Sequence, residues 1–211
     1  YDNLLHKERN QMALLKSNIN LFEEIQSLAK DAKEDLYLFS PYIKLNALKK
    51  LTDNINNRVI ITIITSWKPI DIAFGSSDLS IYPFCKENNF RLLINNKIHL
   101  KTIIVDNMSK AYVGSANITE SGLGYSKRHN YEIGAIESLI DIDDQIYFDK
   151  IIESSSAIND ENFKKISQEA KKLKKPKIDE NFKTKLNSND NFLLSSLPMS
   201  NNVDDFYAIY S

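Results

Sequence analysis

The chain has 211 residues, of which 42% are hydrophobic, with a formal net charge of -1. That is enough apolar material for one sizeable domain, and too neutral a balance for a globally basic nucleic-acid binder, so any such surface must be a local patch. A single cysteine, Cys85, rules out a disulfide within these residues and reads as a small core side chain, and no apolar run reaches the roughly 18 residues of a membrane helix.

In chain order, residues 11–33 carry apolar residues at helical spacing (Leu14, Leu15, Ile19, Phe22, Ile25, Leu28, Ala29) and predict a helix. LYLFSPYI (36–43) predicts a strand, and Asn46 a capped helix to Asn54. VIITIIT (59–65) is almost wholly β-branched, as in a strand covered on both faces. Gly75-Ser76-Ser77 opens a predicted helix to about Asn88. Strands follow at 90–94, 97–106, 110–114 and 131–137, then helices at 141–158 and 159–175. This alternation predicts an α/β fold, a mixed β-sheet covered by helices on both faces, with a helical C-terminal extension. The expected domain is 1–175, followed by a polar linker and tail at 176–211 that could lead to a further domain or partner subunit.

The segment 98–117, IHLKTIIVDNMSKAYVGSAN, carries the chemistry. In a strand, residues two apart share a face, so His99 and Lys101 point one way while Ile98, Leu100 and Thr102 point the other. Gly114 allows a close approach of backbone and ligand, and Ser115 and Asn117 follow it at the same spacing of two. An imidazole, an ammonium, a hydroxyl and a carboxamide can all donate hydrogen bonds. That set suits a phosphate and repels a divalent cation, so neither a metal nor a cofactor is expected.

His99-x-Lys101, Asp106 and Gly114-Ser115-x-Asn117 place six identities in 19 residues, and this resembles the signature of the phospholipase D superfamily. TSWKPIDIAFGSSDLSIY (65–82), LYLFSPYI, SGLG (121–124) and NYEIG (130–134) extend the resemblance to residues 20–150. It implies a phospholipase-D-like fold and a phosphodiesterase in which His99 attacks phosphorus and forms a phosphohistidine. Lys101 and Asn117 would hold the non-bridging oxygens, Ser115 would add a hydrogen bond, and Glu132 would accept from the other His99 nitrogen. Asp106 and Gly114 are expected to be structural, Asp106 by anchoring the turn after it.

A second histidine must protonate the leaving oxygen, and neither His6 nor His129 lies in a second copy of the motif. Small single-motif members of the superfamily pair two chains. A homodimer with paired His99 is therefore the expectation, and an upstream copy of the motif is the competing explanation. The expected activity is a metal-independent endonuclease of restriction or phage-defence type, with DNA as partner and no stable membrane association. A lipid phosphodiesterase or phosphatidyl transferase, and a noncatalytic nucleic-acid-binding module, are the alternatives. The lysine tract 164–177 reads as a solvated helix face or as a phosphate-tracking patch, and the acidic stretch 141–149 turns that end away from nucleic acid. Trp67 suits either the cleft or the core. A cytoplasmic location is expected, and a start at Tyr1 leaves a removed leader open.

Overall fold

The computed structural model describes residues 14–138 and 141–173. Along the chain run β1 (Leu15–Lys16), α1 (Leu21–Asp31), β2 (Asp35–Phe39), α2 (Leu45–Thr52), β3 (Ile60–Thr65), α3 (Pro69–Ala73), α4 (Ile81–Glu87) and β4 (Arg91–Ile94). β5 (Thr102–Val105), β6 (Lys110–Gly114), β7 (Ile133–Ser138), α5 (Ile142–Glu153), β8 (Ser156–Ala157) and α6 (Asp160–Lys172) complete the described residues.

The strands form one mixed sheet in the order β1-β7-β6-β5-β2-β3-β4-β8. β2, β3 and β4 are parallel, and every other pairing is antiparallel. Both outer positions are held by two-residue strands.

The β-branched runs bury both faces, as their unbroken hydrophobicity predicts. Leu36, Leu38, Ile61, Ile63, Leu92, Ile103, Val105 and Tyr112 face one core, shared with Leu21, Ile25 and Leu28 of α1, Leu48 and Leu51 of α2, and Ile81 and Cys85 of α4. Phe39, Ile64, Leu93, Ile104 and Ala111 face the other, against Phe148, Ile151 and Ile152 of α5. Helices therefore cover both faces, the α/β architecture that the alternation of elements predicts.

Four predicted boundaries move, each for a physical reason. The helix over 11–33 begins only at Leu21, because Asn18 takes a left-handed φ of 57° and Asn20 Oδ1 accepts from Lys16 N at 3.0 Å. That turn frees Leu15 and Lys16 to pair with β7. Asn46 is not a cap. The first N–H of α2, that of Leu45, is satisfied at 2.8 Å by Asp78, 33 residues away, which also pairs with Lys44. Gly75 (φ +85°) ends α3 rather than opening a helix, and α4 begins after it. The helix expected over 141–158 stops at Glu153, and Ser156–Ala157 joins the sheet beside β4.

Gly114 and Gly134 lie opposite each other across β6 and β7, and the buried Tyr112 ring fills the space both leave. A Cβ on Gly134 would overlap Tyr112 Cε2. Gly134→Ala should therefore destabilise the domain by about 1–3 kcal/mol through overpacking. Urea denaturation checks it, and an unchanged midpoint would mean that the ring yields without cost.

Candidate active site

The strand directions bring five chain segments to one edge of the sheet. β2 and β6 end there and β5 and β7 begin there, since Phe39 pairs with Thr102, Thr102 with Val113, and Gly114 with Gly134. β3 also ends there, parallel to β2. The carboxyl ends of parallel strands are where α/β sheets commonly bind ligands.

His99 and Lys101 arrive just ahead of β5, in extended chain rather than inside the strand. Gly114 N donates to Lys101 O at 3.3 Å and continues the ladder by one rung. Ile98 and Thr102 are buried and Leu100 packs on the second core, so the alternation holds and turns His99 outward. Lys101 Nζ stands 3.3 Å from His99 Nδ1 and 3.4 Å from Nε2, and donates to His99 O at 3.1 Å. Burial, then the Lys101 ammonium, hold the imidazole below its ordinary pKa. Burial also lowers the Lys101 pKa, with the Glu132 carboxylate opposing it.

Ser115 Oγ donates to Glu132 Oε2, and Ile133 N donates to Ser115 Oγ at 3.1 Å. The other Glu132 oxygen accepts from Asn130 Nδ2 at 3.1 Å. The hydrogen bond from His99 to Glu132 that the resemblance implies is not formed within one chain. Ser115 and Asn130 take the carboxylate instead. The backbone of Glu132 is pinned by Ser17, which accepts from Glu132 N at 3.0 Å through its hydroxyl and donates its N–H to Glu132 O at 3.1 Å. Beneath Gly114 lies the buried Tyr112 hydroxyl, its pKa pushed up to about 12 by burial, with the Ala116 backbone N–H opposing the rise.

Asn117 is half-buried, its Oδ1 3.5 Å from Ser40 Oγ. Ser40 gives its proton to Tyr42 O at 2.8 Å and accepts from Ile118 N at 3.1 Å. This hydroxyl stitches the loop after Gly114 to the end of β2.

Asp106 lies at the far end of β5. Its Oδ1 accepts from Lys33 N at 2.7 Å and Glu34 N at 2.9 Å, so the segment it ties down is the entry to β2 rather than the turn after it. Trp67 is in the core, stacked on Phe163, with Nε1 donating to Asp78 O at 3.2 Å. His129 sits in the loop before Glu132, edge-on to Tyr131, and His6 falls outside the described residues.

Sequence reasoning missed Ser17, Ser40, Tyr112 and Asn130. Ser40 inside LYLFSPYI, Tyr112 inside 98–117 and Asn130 inside NYEIG lay in segments already singled out, whereas Ser17 did not. Among the described residues, no group of three His, Cys, Asp or Glu side chains could hold a metal ion.

The chain is similar in fold to three solved structures. NucT from Helicobacter pylori is 16% identical, with a TM-score of 0.54 over 69% of this chain and 98% of that one. Nuc from Salmonella typhimurium, a phospholipase D family member, is 14% identical, with a TM-score of 0.53 over 70% of this chain and 98% of that one. The phosphatidylserine synthase of Haemophilus influenzae Rd KW20 is 15% identical, with a TM-score of 0.55 over 77% of this chain and 43% of that one. Comparison with curated proteins gave no match. Residues 25–147 match the family model described as "Cardiolipin synthase, PLD-like domain". Matched over more than half its length, the chain belongs to the phospholipase-D-like family, within a superfamily of phosphodiesterases.

Proposed function

We propose that the chain is a metal-independent endonuclease, of restriction or phage-defence type, acting through a covalent phosphohistidine at a homodimer interface. The observation that carries this reading is the Lys101 ammonium 3.3 Å from the His99 ring, at a sheet edge shared with Ser115 and Asn117. Burial, with the ammonium beside it, lowers the imidazole pKa and so favours the neutral, nucleophilic form, and the ammonium can hold the charge that develops on phosphorus oxygens.

In the first step a neutral His99 nitrogen bonds to phosphorus as the bond to the leaving oxygen breaks. That oxygen takes a proton from His99 of the partner subunit. In the second step water attacks phosphorus, gives its proton to the same partner imidazole, and displaces His99. Lys101 and Asn117 stabilise the trigonal-bipyramidal phosphorus in both steps. The Ser115 hydroxyl, already fixed by Glu132, adds a further hydrogen bond. In the assembled pair Glu132 would have to exchange Ser115 or Asn130 for an imidazole nitrogen, or else act on the histidines through Ser115.

The pH profile follows from the sign of the His99 shift. A lowered pKa means that the deprotonated nucleophile persists below the ordinary value of about 6.5. The acid limb of kcat/KM, measured on bis(p-nitrophenyl) phosphate, should have its midpoint below about 6.5 and move upward in Lys101→Ala. The basic limb belongs to the protonated mate, and the two titrate as a coupled pair. An acid limb above 6.5 would contradict the assignment.

The family model and the fold of the phosphatidylserine synthase favour a second reading, a phosphodiesterase or phosphatidyl transferase acting on lipids. No helix among the described residues is long and apolar enough to cross a membrane. Plasmid DNA and phosphatidylglycerol liposomes, each incubated with the protein in excess EDTA, separate the two. Nicking that disappears in His99→Ala supports the endonuclease. Lipid turnover without nicking supports the second reading. Neither activity would leave a noncatalytic module.

A further inference from the structure

We propose that the loop Lys127–Tyr131 grips single-stranded nucleic acid beside the reacting phosphate, with the Tyr131 ring as a stacking platform for a base and Lys127 and Arg128 as backbone-phosphate contacts. The proposal rests on the polynucleotide reading above and narrows its substrate to single strands.

Three observations carry it. The Tyr131 residue is 99% exposed, and among the described residues its ring meets only the edge of His129, 6.2 Å away at 79°. Solitary exposed aromatics are ordinary, but the loop that carries this one is hydrogen-bonded back to the segment before it. Asn130 N donates to Ser121 O at 3.0 Å, Arg128 N to Ser126 Oγ at 3.2 Å and Ser126 N to Glu120 O at 3.3 Å. Such anchoring removes part of the ordering cost of binding.

The second observation is charge. From Ser121 to Tyr131 there is no carboxylate, and Lys127 and Arg128 are exposed and in no ion pair with a described residue. The flanking Glu132 is occupied by Ser115 and Asn130, and Glu120 lies near Tyr125. Cations interleaved with an open aromatic ring are what a single strand binds, because every base has a stackable face and every link a phosphate.

The third observation is position. Asn130 Nδ2 and Ser115 Oγ donate to the two oxygens of one carboxylate, so the loop and the Gly-Ser-Ala-Asn segment are joined through Glu132. The same carboxylate acts on Lys101, so the loop is anchored at the site where the phosphate would sit. In a duplex the bases are already stacked and paired, and freeing one costs energy that a single strand does not spend. A second copy of the chain is the weaker occupant, since lysine is depleted in interface cores and these cations would add their own repulsion there.

The test measures binding of a fluorescein-labelled single-stranded oligonucleotide, and of its duplex, in EDTA and in a His99→Ala background that prevents cleavage. Thermal melts monitor folding. Tyr131→Ala should raise Kd for the single strand about 5- to 100-fold, Tyr131→Leu should do the same, and Tyr131→Phe should stay within about twofold. Lys127→Ala with Arg128→Ala should reduce the slope of log K against log salt by about 1.4. The proposal is overturned if the parent does not bind the single strand, if it binds the duplex more tightly, or if Tyr131→Ala binds as well as the parent. It is also overturned if Tyr131→Ala turns a sedimenting dimer into monomers, which would make the loop a subunit contact. Hydrolysis of bis(p-nitrophenyl) phosphate by the His99-intact protein tests the phosphodiesterase reading separately, because that substrate has no neighbouring base or second phosphate to grip.

Discussion

Phosphodiester hydrolysis by the His99→Ala variant should fall at least about 10⁴-fold, the scale on which loss of a nucleophile operates in other covalent enzymes. The fold should survive the change. His99 points out of the sheet, and the buried neighbours Ile98 and Thr102, which hold the segment, are untouched. Such substitutions away from the core usually shift stability by less than about 0.5 kcal/mol. A melting temperature close to that of the parent, together with lost turnover, is the expected pair of results. Mixing subunits sharpens the test. If one phosphorus needs His99 from both chains, equal co-expression of parent and variant leaves about a quarter of the activity, whereas independent sites leave about half. A linear dependence on the parent fraction would remove the shared site from the mechanism.

Lys101→Ala should cost about 3–4 kcal/mol of transition-state stabilisation, as removal of an oxyanion donor does, and Asn117→Ala a similar amount. The two side chains differ in what else they do. Lys101 touches both ring nitrogens of His99 and its carbonyl, so its loss also lets the imidazole pKa rise. Asn117 lies in the loop that Ser40 ties down through Ile118, away from the imidazole, and its loss should lower the rate without moving the acid limb. Lys101→Arg should not restore the parent rate, because a planar guanidinium cannot occupy the position of a compact ammonium over the ring. Single-turnover rates on bis(p-nitrophenyl) phosphate measure both effects, and near-parental rates in Lys101→Ala would dismiss the phosphate role.

The candidate site was legible in the sequence wherever a short-range rule governs it. Side-chain alternation turned His99 and Lys101 to one side even though the strand proper begins only at Thr102. The unbroken run at 59–65 announced a strand covered twice, and most of its residues are buried. What escaped was support supplied from far along the chain. Ser17 reaches Glu132 from 115 residues away, Ser40 reaches Ile118 from 78, and Asp78 caps α2 from 33. None of these leaves a local periodicity. The same limit explains Asp106. Its position at the strand end predicts an anchor for the turn that follows, yet its carboxylate clamps the backbone of Lys33 and Glu34, 73 and 72 residues earlier. One short signature thus records two separate physical demands.

The two-residue strands at either end of the sheet bear on how copies of this chain can meet. β1 covers only Ile133 and Gly134 of β7, and Ala135–Ser138 have no strand partner on that side among the described residues, so their main-chain groups offer a short template for strand addition. Copies of the chain that meet along that margin can therefore use main-chain groups as well as side chains.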